Sequence, residues 1–187
     1  MPRRIDVDGL FDATVRVFAE RGYRATTTQE IASRGGVNEV TLFRRYGDKA
    51  TLINTALTHA LAKSPFARVT VTDDVRADLV ALVQAYAATV ETYGGAVMTL
   101  LVEIPRHPEL RGAMAAFTPN LLNAVQVIAT HQDRGQLRPG DPVQKLVTLI
   151  APLMVVGLWA RTGAEIIAPK FDPDALVTAF LDGQRGN

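Results

Sequence analysis

The stretch TQEIASRGGVNEVTLFRRY, Thr28 to Tyr46, decides how the rest of the chain is read. Thr27, just ahead of it, stands as an N-cap with Glu30 three residues on, the arrangement of a capping box. Gly35-Gly36 then closes the segment in a tight turn. Asn38 caps a second short helix, Glu39 to Tyr46, which Gly47-Asp48 ends. Two short helices joined by a glycine turn have helix-turn-helix spacing. Helices this short are marginal alone, so a third must carry the pair. Leu10, Phe11, Thr14, Val17, Phe18 and Arg21 recur at i, i+3, i+4, i+7 spacing and predict that helix over 7–21. Gly22 ends it in the C′ role, and Phe11, Val17 and Phe18 form the supporting face.

The wheel of the segment 39–46 separates two sides. At about 100° per residue, Leu42 and Tyr46 share one face with Val37 nearby. Val40 and Arg44 lie opposite, flanked by Thr41 and Phe43. Valine and phenylalanine beside arginine are costly on a merely solvated face. They suit a major groove, where apolar groups meet thymine methyls and arginine reads guanine or grips phosphate. Asp48 caps a fourth helix running to about Lys63. Lys49 then sits one residue inside a helix N-terminus, where the macrodipole disfavours a cation. A phosphate would be held there by Lys49 and the free backbone N–H groups. The plainer reading is an exposed lysine costing a few tenths of a kcal/mol.

The resemblance lies in ordered segments: Phe18-Ala19-Glu20-Arg21-Gly22-Tyr23, Ala25-Thr26-Thr27, Glu30-Ile31-Ala32, Gly36-Val37, Thr41-Leu42-Phe43-Arg44-Arg45-Tyr46, Asp48-Lys49 and Leu52-Ile53. Together, over roughly residues 9–56, they resemble the DNA-binding domain of the TetR family of bacterial transcriptional regulators. The resemblance implies an all-α homodimer with an N-terminal three-helix domain on a palindromic operator. It also implies a C-terminal helical bundle that binds a small ligand and dimerises. Residues 1–48 would form the first domain and 49–187 the second, with helix 49–63 as connector. By the same resemblance Thr28, Thr41 and Lys49 would contact phosphates. Gln29, Glu39, Val40, Phe43, Arg44 and Arg45 would face the groove, with Asn38 at its edge, and Leu42, Val37 and Tyr46 would be core. Phe43 stands where the family usually has tyrosine, so a hydroxyl contact is lost. Glu39 stands where a basic or small residue is common. Its carboxylate could accept from cytosine N4 but repels phosphate.

Composition agrees with such a protein. The chain has 187 residues, is 48% hydrophobic and carries a net charge of +1, which excludes a polybasic, histone-like protein. Up to Lys63 there are ten basic and seven acidic residues; beyond it, ten and twelve. Arg44, Arg45 and Lys49 cluster, and Arg3 and Arg4 stand at the N-terminus without an apolar run behind them, so no signal peptide is read. The absence of cysteine excludes disulfides, thiolate metal sites and cysteine nucleophiles. A cytoplasmic protein is expected.

Beyond Lys63 the pattern stays helical. Ser64-Pro65 and residues 68–72 read as a linker, the latter the only strand-like segment. A long helix is predicted from Asp73 or Asp74 to Tyr93, ended by Gly94-Gly95, with another over 96–104. Helix resumes near Glu109, restarts at Thr118-Pro119 and runs to Arg134. Asp141-Pro142 and Asp172-Pro173 each pair an N-cap with proline at N1 and open helices near 142–162 and 173–183. The apolar run Leu146–Ala160 is short for a bilayer. A helix apolar all round must be covered on every side, so 142–162 is expected in the dimer interface, with 173–183 (Leu176, Val177, Phe180, Leu181) beside it.

The resemblance further implies a pocket in the C-terminal bundle. Its candidate lining is the larger residues Tyr86, Tyr93, Met98, Leu101, Phe117, Leu121, Met154 and Trp159, with a hydrophobic ligand. Ligand would favour a conformer with the fourth helix displaced and so weaken operator binding. No G-x-S-x-G, phosphate loop or H-E-x-x-H is present, so no enzyme and no cofactor are read. His107 with Glu103 and Glu109 mimics a metal cluster, but Pro105 and Pro108 break the helix that would align it, and no metal is read. A helical enzyme or scaffold is the alternative.

Overall fold

A computed structural model describes residues 6–161 and 171–184; Arg3, Arg4 and residue 162 lie outside them. The described chain is all-α, without a strand. Its helices are α1 (Val7–Ala25), α2 (Thr28–Arg34), α3 (Glu39–Tyr46), α4 (Lys49–Lys63), α5 (Val75–Glu103), α6 (Arg111–Ala115), α7 (Thr118–Asp133), α8 (Pro142–Arg161) and α9 (Pro173–Gln184). Short 3-10 turns occupy Pro65–Arg68 and Pro108–Leu110.

The helix starts follow local chemistry. Thr27 accepts from the Glu30 N–H at 3.1 Å, Asn38 from the Val40 N–H at 2.8 Å and Asp48 from the Thr51 N–H at 2.7 Å. Asp141 and Asp172 cap α8 and α9 in the same way. Gly22, at φ 72° and ψ 173°, breaks helical geometry where the sequence places a stop, and the chain then adds one further turn to Ala25. The expected break at Gly94-Gly95 does not occur: α5 runs on for 29 residues. Each glycine costs about 1 kcal/mol in a helix interior. The large side chains on either side, Leu79, Leu82 and Val83 before them and Leu100 after, are fully buried, and each contributes about 1.5–3 kcal/mol on burial. Packing therefore outweighs propensity.

Contacts divide the chain into two compact units. The first holds residues 1–63 and 93–118, the second 64–92 and 119–187. These packed bodies cut the chain differently from the expected functional boundary at 48/49: α4 packs with α1, and the segment 93–118 joins the same body. In the first unit Leu10, Val17, Phe18, Ile31, Leu42, Ile53 and Leu57 form one core.

The second unit has its own core of Phe66, Leu79, Leu82, Val127, Ile128, Leu146, Leu149 and Val177. Among the described residues α8 is the one helix long and apolar enough to cross a bilayer by length and composition, at 20 residues against the shorter run read from sequence. It is two-sided: Leu146, Leu149, Ile150 and Leu153 are buried, whereas Val143, Val147, Met154, Val155, Leu158 and Trp159 are exposed. On α9 the expectation is corrected. Val177 and Phe180 are buried and Leu176 and Leu181 pack half-buried on the same core, so these four serve their own unit. The outward face of α9 carries Ala175, Thr178, Ala179 and Asp182 instead.

A polar clasp closes this core. The buried His131 ring places Nε2 2.8 Å from Asp78 Oδ2 and Nδ1 2.6 Å from Gln136 Oε1. Gln136 Nε2 donates to the Asp73 carbonyl at 2.8 Å, which fixes the amide so that its oxygen faces the imidazole. Asp78 also accepts from the Thr72 N–H at 2.6 Å and the Thr72 hydroxyl at 2.8 Å. Burial alone would push the Asp78 carboxyl up; the Thr72 and His131 bonds outweigh it and hold the carboxyl below its usual range. The clasp's stabilisation is thus present above the ordinary carboxylate pKa and is lost as pH falls through the lowered value. Asp78→Asn should cost about 3 kcal/mol at neutral pH, and less as the solution is acidified, in thermal melts of the variant against the parent.

Candidate nucleic-acid interface

The back of α3 is anchored. Leu42 is 2% exposed, and Val37 and Tyr46 pack half-buried on the same core. The Phe11 and Tyr46 rings meet edge-on with centroids 5.9 Å apart. The front is open: Val40 is 73% and Phe43 51% exposed, and Arg44 and Arg45 are exposed beside them. The expected two-sided helix is what the fold produces. Arg44 makes no ion pair with a described residue, while the Arg45 guanidinium lies 5.7 Å from the Tyr46 ring centroid. Gln29 and Asn38 are exposed and Thr41 is half-buried at the rim of this face. Asn38 spends its side-chain oxygen on the Val40 N–H, leaving its amide NH2 outward-capable.

Two expected phosphate contacts are differently employed. The Lys49 ammonium donates to the Tyr23 carbonyl at 2.7 Å and the Thr26 carbonyl at 2.9 Å, and lies 4.4 Å from the Tyr23 ring centroid. These carbonyls flank the end of α1, so the cation satisfies a helix C-terminus rather than standing free at the N-terminus of its own helix. Partial burial lowers its pKa, against the opposing charges of Glu103 and Glu109. The Tyr23 N–H in turn donates to Glu103 Oε1 at 3.2 Å. The second case is Thr28, whose hydroxyl donates to Glu39 Oε1 at 2.6 Å. Its one proton is committed, and the Glu39 carboxylate is held by a neighbour in the same unit.

No local signal in the chain marks what surrounds Tyr23. Burial, then the nearby Glu109 carboxylate, pushes the Tyr23 phenol up to about 12. The His107 ring meets it tilted by 54°, with centroids 4.5 Å apart, and Asn54 bridges the Glu109 carbonyl and the Ala113 N–H. Glu103, His107 and Glu109 do converge, with His107 Nε2 3.7 Å from Glu103 and Nδ1 3.4 Å from Glu109. Among the described residues, however, no group of three is arranged to hold a metal.

The second unit contains a cavity of about 370 Å³. Among the described residues α5 lines it with Ala87, Val90 and Glu91, α8 with Leu153, Val156, Gly157, Ala160 and Arg161, and Phe171 joins them. None of the eight expected pocket residues is among them. Tyr86 is core, edge-on to Phe66; Leu121, Met154 and Trp159 are exposed; Tyr93, Met98, Leu101 and Phe117 belong to the other unit. The physical reason is that space is left by small side chains, not large ones. A Cβ on Gly157 would stand 2.9 Å from Val90 Cγ1, so glycine there permits close approach. Arg161 donates to the Val90 carbonyl at 3.0 Å.

Comparisons with known proteins bear on the family and the fold. The profile described as bacterial regulatory proteins, tetR family, matches residues 10–56, and that of the tetracyclin repressor-like C-terminal domain matches 69–177. The HTH-type transcriptional regulator YvkB of Bacillus subtilis is 42% identical over 48 residues, 26% of this chain and 25% of its own length. The HTH-type transcriptional regulator Mb1581 of Mycobacterium bovis is 26% identical over 130 residues, 68% of this chain and 63% of its own. The chain thus spans less than two thirds of either relative. In fold it is similar to a TetR-family regulator from Rhodococcus sp. (TM-score 0.75, 19% identity, 95% and 97% of the two chains covered). It is similar also to the fatty acid degradation regulator FadR of Bacillus halodurans (0.73, 17%, 97% and 95%).

If Lys49 is an internal tie, Lys49→Gln should lower the melting temperature and leave the salt dependence of duplex binding unchanged. Arg44→Gln should leave the melt unchanged, weaken binding and, where it grips a phosphate, reduce the slope of log K against log salt by about 0.9.

Proposed function

The chain belongs to the tetR family of bacterial regulatory proteins, and on that premise we propose that it is a cytoplasmic, sequence-specific DNA-binding transcriptional regulator, not an enzyme. The observation that carries the reading is the outward edge of Val40, Phe43 and Arg44 on a helix held from behind by Leu42. Apolar groups and a guanidinium on one exposed edge match thymine methyls and guanine in a major groove. Gln29, Asn38, Thr41 and Arg45 border that edge.

In this reading the protein is a homodimeric repressor on a palindromic operator. A single reading head covers too few base pairs to select a site, and a two-fold protein matches an inverted repeat. The dimer uses the exposed stripe of α8, where Val143, Val147, Met154 and Leu158 recur on one face, together with the small-residue face of α9. That pairing explains how so apolar a helix is covered without a membrane. A small hydrophobic effector occupies the cavity of the second unit, whose walls are mainly aliphatic, and releases the operator by favouring a conformer that binds DNA less well. Two relatives of this fold bear names tied to fatty acid metabolism, and an apolar acid would find a cationic partner in Arg161.

Selection from random duplex DNA by the purified protein should return an inverted repeat; a sequence without two-fold symmetry, or no enrichment, would refute the reading. Val147→Asp should convert the dimer to a monomer in light scattering and lower operator affinity at least tenfold, since a buried unpaired carboxylate is costly at an interface.

A further inference from the structure

We propose that Glu39 is a positioning residue, which fixes α3 against α2 through the Thr28 hydroxyl and reads no base itself. The proposal rests on the operator-binding reading above. Glu39 is the first residue of α3 and Thr28 the first of α2, so their 2.6 Å bond ties the two helix starts together. The turn at Gly35-Gly36 ties the end of α2 to the start of α3, and Leu42 ties α3 to the core beneath. These are three separate restraints on a helix of eight residues.

The distance is that of a charge-assisted bond, which is about twice as strong as a neutral one. Both partners are half-buried, unlike the neighbouring Val40, Phe43 and Arg44. The bond also removes a conflict. A carboxylate free to turn toward a phosphate backbone would oppose binding. Held by the hydroxyl and lying in the first turn of its own helix, it is stabilised by the partial positive charge of that end. In return the Thr28 hydroxyl gives its single proton to Glu39 and has none for a phosphate oxygen.

The test uses the full chain with Thr28→Val, Glu39→Ala, Glu39→Gln and the double variant Thr28→Val/Glu39→Ala. Operator affinity and selected sequence are measured at a temperature where melts show every variant folded. Thr28→Val and Glu39→Ala should each weaken operator binding about tenfold, and the double variant should lose no more than either single one. Glu39→Gln keeps a carbonyl for the hydroxyl and should stay within about threefold of the parent. All four should select the parent's sequence. A changed preference at one base pair in Glu39→Ala or Glu39→Gln, with Thr28→Val unchanged, would overturn the proposal and make Glu39 a base reader. Additive losses, or no loss, would overturn it too. The same cycle in DNA-free melts should show the same non-additivity, so the tie stands or falls even if the parent selects no duplex, an outcome that would refute the operator reading instead.

Discussion

The burial of Leu42 is the contact on which the rest depends. A helix of eight residues cannot hold itself in water, because nucleation costs more than so few hydrogen bonds return. It persists only if one side is held, and Leu42, with Val37 and Tyr46 around it, holds that side against α1 and α4. Anchoring one face by packing frees the other from any structural duty. Val40 and Phe43 can then remain exposed at a hydrophobic cost that the core, and not the face itself, offsets. Replacing Leu42 would therefore erase structure and exposed face together, whereas replacing Val40 would touch only that face.

Periodic and local signals made this much legible in the sequence. The wheel of 39–46 separates Leu42 from Val40 and Arg44 because a helix has one geometry, and the caps at Thr27, Asn38, Asp48, Asp141 and Asp172 are each set by residues within three positions. What was not legible involves partners far apart in the chain. Lys49 looks free until Tyr23 and Thr26, more than twenty residues away, bring their carbonyls to it. Glu39 looks like a misplaced anion until Thr28 is folded beside it. The cavity is hidden from the sequence for another reason: large residues fill space, and it opens where Ala87, Gly157 and Ala160 leave room. Gly94-Gly95 stays helical because propensity is local and the packing that overrides it is not.

The two apolar faces of the second unit show the same division between pattern and partner. The pattern told that α8 and α9 are apolar; it did not tell which face each spends on its own core. On α9 the large side chains turn inward and small ones outward, a surface that permits close approach of another helix. On α8 the large side chains are shared between the core and the exposed stripe. Two helices that read alike in sequence thus offer different surfaces, one broad and aliphatic, one narrow and small.

The basic residues of α1 to α4 are divided between the fold and the solvent. From Arg16 to Lys63 there are eight, and four are spent within the fold. Arg21 and Arg34 pair with Glu30 and Glu20, Lys63 with Asp8, and Lys49 with two carbonyls. Arg16, Arg24, Arg44 and Arg45 are left without an ion pair to a described residue. Non-specific affinity for DNA grows with the number of phosphates neutralised, so each cation spent within the fold subtracts from it. In the operator-binding reading proposed above, discrimination falls to the short edge of Val40, Phe43 and Arg44, where contacts would depend on base identity and on orientation. An edge that small is useful only if its angle is fixed. That requirement is why a buried leucine, a glycine turn and a carboxylate–hydroxyl tie all act on one short helix.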